Sequence, residues 1–299
     1  MALLAAVWGC SFLFIKVADE SLAPLQVAFG RILCGAAALV VVLTSTRRRL
    51  PHRGTAGHLA VVAFFMNALP FSLFAYGETH VSAVLAGIWN ATTALFTLPV
   101  AALVVPGEHA TRGRLAGVVV GFAGVLVVLG VWTSGLRGSS LLGSLLCLAA
   151  ALSYAIGTSY TRRFVSGRGE DALSLATGQL LAASLEMAVL VPLATAAPAA
   201  LPARVVLSVV LLGVFGTGLA FVLMHSIVRD AGAATASMVT YVVPFFSTVA
   251  GVAFLHEHLQ WYEPVGGIVI LCGAALSQGR LLPASVRGRL RRRAATAGT

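Results

Sequence analysis

Charge is scarce in this chain. Only 10% of its 299 residues are Asp, Glu, Lys or Arg, against roughly 25% in soluble domains, whose surfaces face water. Apolar residues reach 59% and mean hydropathy is +0.94, which excludes a soluble globular domain. Cysteine is rare as well: Cys10, Cys34, Cys147 and Cys272 all lie inside apolar runs without metal-ligand spacing. They read as small apolar fillers, so neither a disulfide framework nor a metal centre is expected. No G-x-x-x-x-G-K-[ST] run occurs, so ATP-driven work by this chain alone lacks its phosphate-binding signature. Aspartate occurs only at Asp19, Asp171 and Asp230, each in a loop or at the edge of an apolar run. An intramembrane enzyme needs a nucleophile–base pair or embedded aspartates. Catalysis is therefore not expected, and no cofactor is implied.

What the chain does have is uninterrupted apolar sequence. Ten runs stand between polar breaks: 2–18, 24–44, 57–76, 81–105, 113–132, 140–161, 172–193, 204–226, 233–255 and 262–282. At roughly 20 residues per span, this predicts an all-α integral membrane protein of ten transmembrane helices. The runs are continuous rather than alternating, and a spanning helix satisfies its own backbone. The first run is short and lacks the basic start of a cleaved leader; it suggests a natural start upstream of Met1.

The net charge of +10 sits in loops, which argues for topology rather than for nucleic acid. With a cytoplasmic N-terminus, inside loops and the tail hold 16 of the 20 basic residues, and outside loops hold only Arg137 and Arg204. Both termini are expected in the cytoplasm, with the arginine tail 283–299 against anionic headgroups.

The sequence also repeats. At an offset near 149, Gly107-Glu108-His109 falls on His256-Glu257-His258, Gly117 on Gly266 and Gly124 on Gly273. Near 148, Gly30-Arg31-Ile32-Leu33 falls on Gly178-Gln179-Leu180-Leu181, and near 146 Trp8 falls on Tyr154 and Lys16 on Arg162. Two units follow, 1–132 and 140–282. Five spans per unit is an odd number, so the halves insert in opposite directions, an arrangement recurrent in secondary transporters.

The opening Trp8-Gly9-x-Ser11-Phe12…Lys16, then Pro24…Phe29-x-Arg31, resembles the start of an EamA domain of the drug/metabolite transporter superfamily. The closing parts of the halves are similar to it too: Ser82-Ala83…Ala86…Glu108…Gly117…Gly124, and Gly232-Ala233…Ala236-Ser237…Tyr241…Pro244…Glu257…Gly266…Gly273. One departure stands out: Leu95 occupies the place of Pro244 in the first half, and Pro99 follows one turn later. The resemblance implies a plasma-membrane secondary transporter, exporting amino acids, drugs or other small metabolites, with spans two and seven peripheral to the cavity. A passive channel or a structural membrane protein is the alternative. Alanine- and arginine-rich composition fits a GC-rich bacterial gene, hence a bacterial plasma membrane.

Polarity inside apolar runs marks candidate sites. Asn90, Thr92 and Thr93 interrupt the fourth run, and Thr240 and Tyr241 the ninth; Trp8 and Tyr154 are aromatic counterparts. A cavity for a small amphipathic metabolite needs a few such groups among apolar walls, although Ser, Thr and Asn also serve ordinary helix–helix bonding. Pro244 is expected to break its helix and free carbonyls near the site. Arg31, Glu186 and Lys16 are intramembrane charges and functional candidates by default. Glu186 is the candidate proton carrier, with an ion pair to Arg31, or snorkelling of both toward the outer interface, as the structural alternative. Gly113-x3-Gly117-x3-Gly121 permits close helix approach, within the bundle or in a homodimer. Glu108-His109 and His256-Glu257-His258 lack zinc-protease spacing and read as interfacial caps; Trp132, Trp261 and Tyr262 fit an aromatic belt.

Overall fold

The computed structural model describes residues 1–106, 111–129, 139–198, 200–231 and 239–278, without the side chains of 139–140 and 228–231. Among these residues the chain is helical and holds no strand. Long apolar segments in hydrocarbon must bond each amide within the segment itself, and these sequences do so. The first set is α1 (Ala2–Ala18), α2 (Pro24–Ser45), α3 (Arg53–Glu78), α4 (Ala83–Val104) and α5 (Arg112–Val128). The second begins with α6 (Ser139–Phe164) and α7 (Ala172–Ala194). There follow α8 (Ala203–Gly213, a π-helical Val214–Leu219, then Ala220–Ala231), α9 (Val239–Leu255) and α10 (Tyr262–Ser277). Six of them, α2, α3, α4, α6, α7 and α8, have the length and apolarity to cross a membrane, while α1, α9 and α10 are apolar but shorter. Glu108, Trp132, the Gly232–Ser237 motif and the arginine tail lie outside the described residues.

Local chemistry sets the starts. Pro24 opens α2, where its missing N–H costs nothing. Ser82 caps α4 by accepting from Leu85 N at 3.1 Å, and Asp171 caps α7 by accepting from Ser174 N at 3.2 Å. Two helices widen midway: α3 has a π segment at Phe64–Ala68 and α8 one at Val214–Leu219. Such a turn leaves carbonyls short of their usual donors. Thr217 Oγ1 donates to Leu212 O at 3.1 Å, and Ser153 Oγ of α6 donates to Phe65 O at 2.8 Å.

The proline asymmetry plays out differently from expectation. Helix α9 runs through Pro244 unbroken, whereas α4 is interrupted at Thr92, between Ala83–Ala91 and Thr93–Val104. One proline removes one amide, and the remaining ladder holds when neighbours brace it. Gly9 of α1 and Gly87 of α4 provide that bracing. A Cβ on Gly9 would sit 2.8 Å from Val243 O, and one on Gly87 would strike Ser247 Oγ.

The packing joins the two sets. Helix α2 lies against α7, α4 against α9, and α5 along α10. Helix α1 meets α9 and α8 as α6 meets α4 and α3, and α2 touches α8 as α7 touches α3. Exchanging α1–α5 with α6–α10 leaves this group of neighbours unchanged. The α5–α10 seam is backbone on backbone. A Cβ on Gly124 would lie 2.7 Å from Ile270 N, and Cβ atoms on Gly117 and Gly273 would strike Ser277 N and the Gly121 backbone. The small-residue ridge is thus occupied within the chain. Its expected first member, Gly113, meets nothing within 4 Å and stands outside the seam.

Polar ties join the sets at opposite ends of α2. After its last turn, Arg48 pairs with Asp171, and Ser174 Oγ donates to Arg49 O at 2.7 Å. At its start, Gln26 Nε2 donates to Ala196 O at 2.6 Å, and near it Arg204 pairs with Glu20 at 2.5 Å.

Candidate functional site

A cavity of about 120 Å³ opens where the two sets meet. Helix α1 presents one face to it, Trp8, Ser11, Phe12 and Ile15, at the i, i+3, i+4, i+7 spacing of a single helical stripe. Helix α3 adds Met66, Phe71 and Phe74, and α8 adds Phe221 and Met224. The polar groups are Asn90 and Thr93 of α4, Tyr154 and Thr158 of α6, Thr240 of α9 and Arg31 of α2. The aromatic wall has two groups: Trp8 meets Phe221 edge-on at 6.4 Å, and Phe12 meets Phe74 edge-on at 5.6 Å, with Phe74 tilted against Tyr154 at 6.0 Å. Edge-on pairs of this kind hold ring positions.

Arg31 is 5% exposed. Its Nε donates to Thr217 Oγ1 at 3.1 Å, and its Cζ lies 3.7 Å from the centroid of the Phe71 ring. Its counterpart in the repeat does the same kind of work: Gln179 Nε2 donates to Asn67 Oδ1 at 2.6 Å. Thr217 and Asn67 both lie in π segments. Each π segment is therefore held by a side chain from the second helix of the other set.

Of the residues singled out in the sequence, Trp8, Arg31, Asn90, Thr93, Tyr154 and Thr240 come together at this cavity. Five do not line it. Thr92 is fully buried and its hydroxyl donates to Trp89 O at 2.6 Å, serving the helix interruption itself. Tyr241 packs on the apolar core and Pro244 is buried within α9. Lys16 Nζ donates to the carbonyls of Val81, at 2.8 Å, and of Glu78. Glu186 stands on α7, half-buried, and forms no ion pair with Arg31, whose guanidinium is engaged by Thr217 and Phe71. Helix α2 is not peripheral to the cavity, since Arg31 reaches it.

Glu78 has a place at the junction of the halves that its sequence context does not signal. It is fully buried at the end of α3, and neither carboxylate oxygen has a hydrogen bond. Its neighbours Thr79 and His80 make the stretch read as a polar loop, which hides it. Glu257 is the cap expected of its motif, though for another helix: its carboxylate accepts from Ala83 N at 2.8 Å and Val84 N at 3.0 Å, at the start of α4. Among the described residues no cluster of His, Cys, Asp or Glu is arranged to hold a metal ion.

Comparison with known proteins fits this arrangement. An uncharacterized transporter of Archaeoglobus fulgidus is 25% identical over 94% of this chain and 96% of its own length. The uncharacterized transporter YvbV of Bacillus subtilis is 28% identical over 92% and 89%. The uncharacterized inner membrane transporter YedA of Escherichia coli K12 is 24% identical over 92% and 89%. A crystal structure 19% identical superposes with a TM-score of 0.65 over 94% of this chain and 99% of that one, a likeness of fold alone. The family model for EamA-like transporters matches twice, over residues 1–130 and again over 141–278. With both halves matched and the cavity between them, the chain belongs to the EamA-like transporter family.

Proposed function

We propose that this chain is a secondary transporter of ten membrane spans, working by alternating access. Its two inverted halves are α1–α5 and α6–α10, with both termini cytoplasmic. The cavity carries this reading. Its walls come from α1 and α6, α3 and α8, α4 and α9, so each lining helix has its repeat counterpart in the wall, α2 alone excepted. A site on the axis between two like bundles is where opposed rocking of the bundles would open inward, then outward. Cargo is a small amphipathic metabolite, amino acid or drug, matched to an aromatic wall with a few hydrogen-bonding groups. Export across a bacterial plasma membrane is consistent with the inner membrane relative.

Coupling to protons is part of the proposal, and two carboxylates are candidates to carry them. Glu186 has one oxygen buried without a partner, and Glu78 has both. An uncompensated carboxylate anion in such a place is costly, so proton exchange there can be linked to a conformational change. Purified protein in sealed proteoliposomes tests the reading. Saturable solute exchange, with accumulation when a pH gradient is imposed, is expected; unsaturable downhill flux would mean a channel. Transport by Glu78→Gln and Glu186→Gln across a pH series assigns the carrier: its variant loses the pH dependence, and a wild-type profile removes that residue from the role.

A further inference from the structure

Arg31 is the one charged side chain lining the cavity among the described residues. A buried guanidinium is ordinarily paired with a carboxylate, because an unpaired charge away from water is expensive. This one is not. Its hydrogen bond runs from Nε to Thr217, its face lies on Phe71, and its two terminal amino groups donate to nothing among the described residues. Among the described residues no carboxylate forms an ion pair with it. The Nε anchor and the Phe71 ring fix the plane of the guanidinium and leave the terminal fork without a partner among the described residues. Arginine's planar fork is the geometry that recognises a carboxylate with two parallel bonds. The Tyr154 side chain lines the same cavity.

We propose that Arg31 is the substrate-anchoring residue, and that the transported solute is an organic monoanion with a carboxylate head and an aromatic or bulky apolar body. The proposal rests on the transporter reading above and narrows its cargo. A single cation with no second base suits one negative charge better than a phosphate dianion. Among the described residues no carboxylate lines the cavity to receive an ammonium, so an amine or a zwitterion is disfavoured. Trp8, Phe12, Phe74 and Phe221 form the wall for the apolar body, and Asn90 and Thr240 add neutral hydrogen bonds. The absence of any counterpart to Arg31 from α7, where Gln179 stands, gives the site a single anion pole. Bound substrate supplies the counter-charge that no lining side chain among the described residues provides.

Full-length protein and three probes of like shape test this: phenylacetate, phenylacetamide and phenethylamine, with binding measured by calorimetry. Phenylacetate is expected to bind at least about tenfold tighter than the amide, the scale of one charge-assisted hydrogen bond, with the amine weakest. Arg31→Gln should abolish the preference for the acid and leave amide affinity within about threefold. Arg31→Lys should keep the preference in weaker form. Equal binding of acid and amide, preference for the amine, no binding of any probe, or an acid preference that survives Arg31→Gln would each overturn the proposal. The wild-type series stands even if the Arg31→Gln protein does not fold. Proteoliposome exchange of benzenesulfonate, which remains charged and crosses lipid poorly, separates the two levels. Exchange of the amide or amine without the sulfonate keeps a transporter and rejects the anion site. Arg31-dependent binding of phenylacetate with no exchange of any solute keeps the anion site and rejects transport.

Discussion

At the scale of single residues, the polar groups of this protein divide by whether the chain itself satisfies them. Gln179 and Asn67 satisfy each other in part: the amide of Gln179 donates to Asn67 Oδ1 at 2.6 Å, both side chains being buried. Removing one partner leaves a buried amide oxygen without a donor, which costs more than removing both. Gln179→Leu is expected to destabilise the protein by about 1 kcal/mol, within the range of interhelical bonds in membranes. Adding Asn67→Leu should restore part of that loss. Unfolding in a graded detergent mixture measures both; additive losses would show that the bond is not the source. Glu257 makes a different contribution, closing two backbone amides at the start of α4. Glu257→Ala should cost about 1 kcal/mol on the same scale as other lost caps, with Glu257→Gln losing less. The polar residues of α4 were legible in the sequence because they interrupt an apolar run. The Arg31–Thr217 bond was not, because it depends on how α2 crosses α8, and Thr217 alone is an ordinary intramembrane threonine.

Helices were the most legible elements, and what happens inside them the least. Hydropathy reports burial in lipid, so the run 2–18 coincides with α1 and the run beginning at residue 24 with α2. Hydropathy is blind to whether a turn closes on the fourth or the fifth residue, so the π segments at Phe64–Ala68 and Val214–Leu219 left no trace in it. Proline drew attention to Pro244, yet the interruption fell at Thr92 in the helix that has Leu95 at the equivalent place. Glycine spacing was more informative, because only glycine lets two helix backbones touch. On the α5–α10 seam, Gly273→Val places its side chain against the Gly121 backbone, which has no freedom to move aside. The two helices must separate, and a loss of about 1–3 kcal/mol is expected for overpacking of this kind. Gly113→Ala, outside the seam, should leave the melting temperature unchanged. A seam essential to folding makes the first variant fail while the second behaves as wild type; equal behaviour of the two would remove the seam from that role.

For the whole molecule, the ties between halves link stability to pH and orientation to function. Partial burial pushes the Asp171 carboxyl up, but hydrogen bonds from Arg48 and Ser174 outweigh it and hold the group below its ordinary range. A carboxyl depressed on folding contributes stability fully above its unfolded value, near 3.9, and loses it as pH falls through the folded value. The Arg48–Asp171 tie is exposed, so a small effect is expected, screened by salt. Acidification below about pH 4 should weaken the wild type more than Asp171→Asn, as read from melting temperatures at low ionic strength. The same segments report insertion. If the halves are inverted and the arginine-rich loops are cytoplasmic, Arg49 and Ala196 lie on opposite sides of the membrane. Single cysteines placed there in a cysteine-free background can be challenged on intact cells with an impermeant maleimide. Ala196→Cys should label from outside, and Arg49→Cys only after the membrane is opened. The four natural cysteines all sit within helices, with Cys272 exposed on α10, so replacing them with alanine or serine removes background without touching the cavity wall. Labelling of both positions from the same side would contradict the inverted arrangement, because α2 ends at one and the α7–α8 loop holds the other. Labelling from opposite sides fixes the direction in which Arg31 faces its substrate, nearer the outer end of α2 than the inner.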